Sequence, residues 1–185
     1  MSTSRPRHRK RSYHHADLRP ALLAAARRML ERGGPEAVSL REVARRAGVS
    51  HNAPYRHFAD RGALLAALAA QGFDELAAAM AKAATAAEGS KRLGALGTAY
   101  VRFALDRPDL FRLMFGGRVR AADHPTLAEA GKRAYALLAQ EAQLGPIRSW
   151  ALVHGLAHLL LDRQIASVGD NRAATDRLVA QILGG

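Results

Sequence analysis

Cysteine is absent from the 185 residues. That excludes disulfides and thiolate metal sites, and it fits a reducing cytoplasm, the expected location. No uninterrupted apolar run approaches the roughly 20 residues that a bilayer-spanning helix requires. The basic N-terminus mimics the start of a signal peptide, but Arg27, Arg28, Glu31 and Arg32 interrupt the only apolar stretch that follows, so export is not expected. Sustained period-two alternation is missing, and no strand is expected. Catalytic machinery is missing too: there is no nucleophile–base pair, no paired carboxylates and no phosphate-cradling glycine loop, so the chain does not read as an enzyme. The basic N-terminal stretch also lacks the bulky apolar anchors that a membrane-surface helix carries.

Negative charge is scarce. Asp and Glu number 16 against 28 Lys and Arg, a net charge of +12. The excess is unevenly placed. Residues 1–62 hold 14 basic against 5 acidic side chains, whereas residues 63–185 hold 14 against 11. A polyanion bound at the N-terminal end is the implied partner. The length suits one ordinary domain, or a small domain fused to a larger one, with enough chain to bury roughly 70% of the unfolded surface.

Within the basic end, residues 38–58 read as two short helices joined by a tight turn. Ser39 can cap the first, and Leu40, Val43, Ala44 and Ala47 recur at helical spacing on one face. Gly48 sits where a helix ends on a left-handed residue. Val49 can plug the corner and Ser50 can cap the next helix. That helix turns His51, Asn52 and Arg56 outward, with Tyr55 and Phe58 as its anchor. A short polar helix set against a partner in this way is the helix-turn-helix design for entering a major groove; the other reading of the bare pattern is a structural helical hairpin. Pro54 fits only in the first turn of the second helix, which must then start near Asn52 or Ala53.

The predicted architecture is all-α: an N-terminal three-helix domain with the helix-turn-helix, fused to a C-terminal helical bundle that dimerises, with about nine helices in total. Residues 1–12 are Arg-rich without apolar periodicity and read as a disordered basic arm, either DNA-contacting or merely solvated. Residues 13–60 form the DNA-binding domain and residues 61–185 the ligand-binding and dimerisation domain. A first helix starts near Asp17 and ends at Gly33-Gly34-Pro35. Asp60 caps a fourth helix running to about Ala87, and a fifth covers Lys91 to Asp106. The sixth spans Pro108 to Met114, the seventh Pro125 to about Gln143, the eighth Ile147 to about Ser167, and the last follows Gly169-Asp170 to near Leu183. The domain boundary falls inside or just before the fourth helix, with no flexible linker.

From Tyr13 to about Leu68 the chain resembles the N-terminal domain of tetracycline-repressor-type (TetR-family) transcriptional regulators. The resemblance rests on Ala44, Ala47-Gly48-Val49-Ser50, Tyr55-Arg56-His57-Phe58 and Leu64-Leu65. It implies that Tyr55, His57 and a basic residue near Arg61 grip the DNA backbone. The family often has Lys-Glu where this chain has Arg61-Gly62; arginine keeps the charge while glycine loosens the turn. Ser39 and Arg41, at a helix N-terminus, suit a phosphate by their own chemistry. Base reading falls to Ser50, His51, Asn52 and Ala53. Asn52 can pair bidentately with adenine, Ala53 can meet a thymine methyl, and His51 can donate to guanine. A second helix cap is the other reading of Asn52. Arg45 and Arg46 are either contacts or solvated charges. Arg5, Arg7, Arg9, Lys10 and Arg11 of the arm can reach an adjacent minor groove.

In the C-terminal half, Trp150 to Leu161 carries no charge if its histidines are neutral, and a helix apolar all round must be covered all round. One face packs within the subunit. The rest meets the same helix of a second copy, with Leu178, Val179, Ile182 and Leu183 completing a four-helix interface suited to a palindromic site. TetR-family proteins dimerise through their last two long helices, and the resemblance implies the same here. Trp150, His154 and Gly155 resemble the Trp-x3-His-Gly signature of one C-terminal subclass, a match that takes in residues 100–103 and 108–116. Tyr100, Phe103, Phe111, Met114, Phe115, Tyr135, Trp150 and His154 are the candidate lining of a pocket for a small apolar or amphipathic effector, oriented by His154 or Arg112; plain core packing is the alternative for each. His154 and His158 share a face, but without the glutamate of a zinc-protease motif they read as hydrogen-bonded histidines, so no metal and no cofactor is expected.

The resulting expectation is a ligand-responsive dimeric regulator that binds double-stranded DNA, a repressor released from its operator by a small molecule. The alternative is a sequence-indifferent nucleoid-associated protein.

Overall fold

The computed structural model describes residues 18–89, 91–140, 145–165 and 171–183. The arm, Asp17 and the predicted C-terminal ends of the seventh and eighth helices lie outside them. Eight α-helices and three 3-10 turns make up the described residues, with no strand among them.

The first three elements form a small head. Helix α1 (Leu18–Gly33) buries Leu22, Leu23, Ala26, Met29 and Leu30 along one stripe. A 3-10 turn (Pro35–Ala37) leads to α2 (Leu40–Ala47). The Ser39 hydroxyl oxygen accepts the Glu42 N–H at 3.3 Å and caps α2. Gly48 closes the helix at φ 70°, a conformation that side-chain-bearing residues rarely adopt. The Val49 N–H then returns to the Ala44 carbonyl at 3.0 Å.

One predicted helix is shortened. The third predicted helix is a single 3-10 turn, Ala53–Arg56, with Pro54 in its first positions. The proline ring has no N–H to continue an α-helical ladder, so a short segment closes with tighter bonds. This is why eight α-helices are seen where about nine were expected. Ser50 does not cap this turn through its side chain; its carbonyl accepts the Ala53 N–H at 3.0 Å.

Helix α3 (Arg61–Thr85) is the spine. Asp60 caps it by accepting the Ala63 N–H at 2.7 Å. At about 1.5 Å per residue it is long enough to serve both halves. Its N-terminal turns bury Leu64, Leu65 and Leu68, and its later turns bury Phe73, Leu76 and Met80. By length and composition alone α3 would suffice to cross a bilayer, but 56% of that window is buried inside the fold, as expected of a core helix.

Around the later turns of α3 stand α4 (Lys91–Asp106), α5 (Pro108–Phe115) and α6 (Pro125–Gln140). Helix α7 (Pro146–Leu161), which also meets α6, and helix α8 (Arg172–Leu183) pack on α4. The approach there is close: a Cβ added at Gly97 would lie 2.1 Å from Leu183 Cδ1. Helix α7 ends well before Ser167, because Arg163 takes the left-handed conformation at φ 55° just past its last turn.

Candidate DNA interface and effector cavity

The head presents two neighbouring groups of polar side chains. Ser39, Arg41 and His51 border one surface groove with Val49 at its base. Ser50, Asn52, Ala53, Arg56 and His57 border a second. Between them the 53–56 turn is held from below by buried Pro54 and Phe58. Burying a phenylalanine side chain stabilises by about 1.5–3 kcal/mol, enough to hold so short a turn. Tyr55, expected as a second anchor, is instead 56% exposed, leaving its ring free on the outer surface. Asn52 stands at the start of the turn yet makes no capping bond, so its amide is free to bind elsewhere.

The positive charge of the head is partly neutralised from within. Glu42 accepts hydrogen bonds from Arg45 at 2.7 Å and from Arg46 at 2.7 Å. These two guanidinium groups hold its carboxyl down at about 2. Arg61 has internal partners as well. Its Nε donates to the Val38 carbonyl at 2.8 Å and its Nη2 to the Pro35 carbonyl at 2.6 Å, with Glu36 at 3.3 Å. Arg118, just beyond α5, also pairs with Glu36. Arg61, expected on a phosphate, fastens the start of α3 to the turn ahead of α2 through Nε and Nη2 while its side chain stays partly exposed.

A cavity of about 460 Å³ lies among α3, α4, α5, α6 and α7. Phe73 and Leu76 come from α3, Tyr100 from α4 and Phe115 from the end of α5. Trp150 closes the α7 side, and α6 supplies the remaining wall with Gly131, Tyr135 and Leu138 among others. Behind Tyr100, its hydroxyl lies 2.9 Å from His154 Nδ1. Burial pushes the Tyr100 hydroxyl up, against a smaller opposing pull from Trp150. Burial, with a lesser contribution from His158, lowers His154. Both groups are therefore uncharged near neutrality.

Two family models match. "Bacterial regulatory proteins, tetR family" covers residues 22–68, and "Tetracyclin repressor-like, C-terminal domain" covers residues 93–182. The chain belongs to the TetR family. Its fold is shared along its length with a protein of unknown function from Rhodococcus sp. RHA1, at 36% identity and TM-score 0.79, covering 95% of this chain and 98% of that one. A transcriptional regulator from Rhodococcus sp. RHA1 matches at 26% identity and TM-score 0.65, covering 90% and 96%. The TetR-family regulator PfmR from Thermus thermophilus shares the fold at 19% identity and TM-score 0.58, covering 89% and 97%. No curated protein matches.

Of the residues expected to line an effector pocket in this TetR-family chain, Tyr100, Phe115, Tyr135 and Trp150 border the cavity. Phe103, Phe111 and Met114 are buried in the core behind it. Phe111 packs against Phe115 with ring centroids 4.7 Å apart and edge-on to Tyr100 at 5.7 Å, which leaves no face for a ligand. His154 stands one layer back, bonded to Tyr100. Arg112 points away and pairs with Asp162 at 3.2 Å. The missed walls are Phe73 and Leu76 of α3 and, beside Tyr135, the rest of the α6 face. One signal for the latter was available: a glycine at 131 inside a helical stripe marks a place where a side chain has been withheld. His154 and His158 lie with ring centroids 4.6 Å apart, but among the described residues no group of three ligating side chains is gathered.

Proposed function

We propose that the chain is a ligand-responsive repressor that binds a palindromic operator as a homodimer in the cytoplasm and lets go when the cavity fills. One observation carries this reading: the cavity wall and the DNA-binding head share α3. Phe73 and Leu76 border the cavity, Leu64, Leu65 and Leu68 pack in the core that α3 shares with the head, and Arg61 ties the first turn to Val38. A guest that pushes Phe73 tilts a helix whose other end sets the position of α2. A coupling of about 1–3 kcal/mol then weakens operator binding roughly 5–150-fold.

On the DNA side, Ser39, Arg41, Tyr55 and His57 hold phosphates while Ser50, His51, Asn52 and Ala53 face the bases. Arg61 holds the backbone at Val38, the residue before Ser39. The second copy docks on α7 and α8. Support comes from Ile147, Leu152 and Leu159, large apolar side chains left exposed at 72%, 38% and 46%. Two recognition turns about 34 Å apart then meet successive major grooves.

The test is an operator titration with and without a compound shown to occupy the cavity. A five-fold or greater loss of affinity is expected. Unchanged affinity with the cavity saturated rejects the repressor-release reading.

A further inference from the structure

We infer that the cavity selects an uncharged, ring-bearing apolar molecule that offers at most one polar atom to Tyr100. The inference rests on the proposed effector role of the cavity and narrows it to a chemical class.

Size comes first. About 460 Å³ falls within the range of pockets that enclose a drug-sized guest. The walls are chiefly hydrocarbon and ring surface. Phe73 meets Phe115 edge-on at 5.1 Å, and Tyr135 meets Trp150 edge-on at 5.8 Å, so the walls present aromatic edges and faces against which a ring of the guest can pack.

Charge decides the rest. Among the described lining residues only Lys132 is charged, and its ammonium donates to Glu129 at 2.8 Å from a side chain 72% exposed to water. No free cation therefore waits inside for a carboxylate or phosphate. No described carboxylate lines the cavity for an amine either. An ion moved into such walls gives up its hydration without a partner. The lining rings carry three polar groups, the Tyr100 and Tyr135 hydroxyls and the Trp150 indole N–H, and the most buried is the Tyr100 hydroxyl. It is already engaged with His154, and both stay neutral because burial opposes their charged forms. One hydrogen bond to a hydroxyl or carbonyl of the guest is what this arrangement can offer.

Gly131 supplies the means of testing it. A Cβ added there would meet only Phe73 Cζ, at 4.0 Å, an ordinary contact. A larger side chain at 131 grows into the empty volume without disturbing the wall, and it improves helix propensity.

Calorimetric titration of the full chain at pH 7 with three probes of one skeleton reads the preference: 2-naphthol, 2-naphthoate and 2-naphthylmethylammonium. The neutral probe is expected to bind at least ten-fold tighter than either ion. Gly131→Leu is expected to weaken it at least ten-fold, Gly131→Ala less, with neither variant lowering the melting temperature. Absence of naphthol binding, or binding untouched by Gly131→Leu, overturns the inference. So does tighter binding of naphthoate, and if that preference vanishes in Lys132→Met the guest is an amphipathic acid held at the lysine. Naphthol that binds in the cavity yet leaves operator affinity unchanged upholds the chemical class while rejecting effector control; naphthoate that binds and releases the operator does the reverse.

Discussion

The Arg61 side chain donates its Nε–H to the Val38 carbonyl at 2.8 Å across 23 residues of sequence. Val38 immediately precedes Ser39, the cap of α2, so the first residue of the long helix is fastened to the first residue of the DNA-facing helix-turn-helix.

Removing that tie separates two roles. Arg61→Ala is expected to lower the unfolding free energy by about 1–2 kcal/mol, the range for losing charge-assisted bonds at a partly exposed site. Urea denaturation measures it. Operator affinity should fall while the dependence of log K on log salt keeps its slope. A slope reduced by about one phosphate contact would instead make Arg61 a direct backbone ligand.

Asn52, uncapped and exposed, is expected to discriminate among bases. Asn52→Ala should change the preferred operator, with a loss of about 1–3 kcal/mol confined to variants at one position. Tyr55→Phe should weaken all operators alike. Binding titrations on an operator panel check both; equal losses on every operator for Asn52→Ala would remove it from base reading.

Glu42 occupies two arginines that face the same surface. Glu42→Gln should free Arg45 and Arg46, tighten binding to random duplex and steepen the salt slope by about one to two contacts. Fluorescence anisotropy across a salt series reads this out. An unchanged slope would mean that the two guanidinium groups do not reach DNA.

Burial depresses His154, so the folded chain holds a neutral imidazole where the unfolded chain, near its ordinary pKa of about 6.5, takes up a proton as pH falls. Stability from this group is full above that value and declines as pH drops below it towards the depressed folded pKa. The melting temperature should therefore fall between pH 7.5 and 5.5, and less steeply in His154→Gln. Parallel pH profiles for the two proteins would assign the effect to other histidines.

Gly155 lies mid-helix in α7 with nothing within 4 Å of an added Cβ. A helical glycine costs about 1 kcal/mol relative to alanine, and no packing among the described residues accounts for it. The proposed second copy, pressed against this face, would. Gly155→Leu should weaken dimerisation at least ten-fold by sedimentation equilibrium; an unaltered dimer would move the interface elsewhere.

Local signals made the head legible. Ser39, Gly48 and Asp60 announce their caps and turns within three or four residues, and Pro54 fixed where the third element starts. Its 3-10 character was less visible, since the same proline permits either helix in its first turn. Tyr55 was misjudged as an anchor because alternation of polar and aromatic residues does not say which ring has a floor beneath it. The cavity was half legible. Rings on α4, α5 and α7, and Tyr135 on α6, stood out by type, but the contributions of α3 and of the rest of α6 depend on how helices far apart in sequence pack. Charge counting located the basic end correctly and overlooked that Glu42 and Glu36 hold some of its arginines.

Sequence-selective recognition of DNA by a symmetric dimer is what the proposed function requires. A competition titration of the purified protein between a duplex recovered by genomic footprinting and random duplex at fixed salt reads it out. A preference of at least about 10³-fold is predicted. Equal affinity for both duplexes would contradict the account.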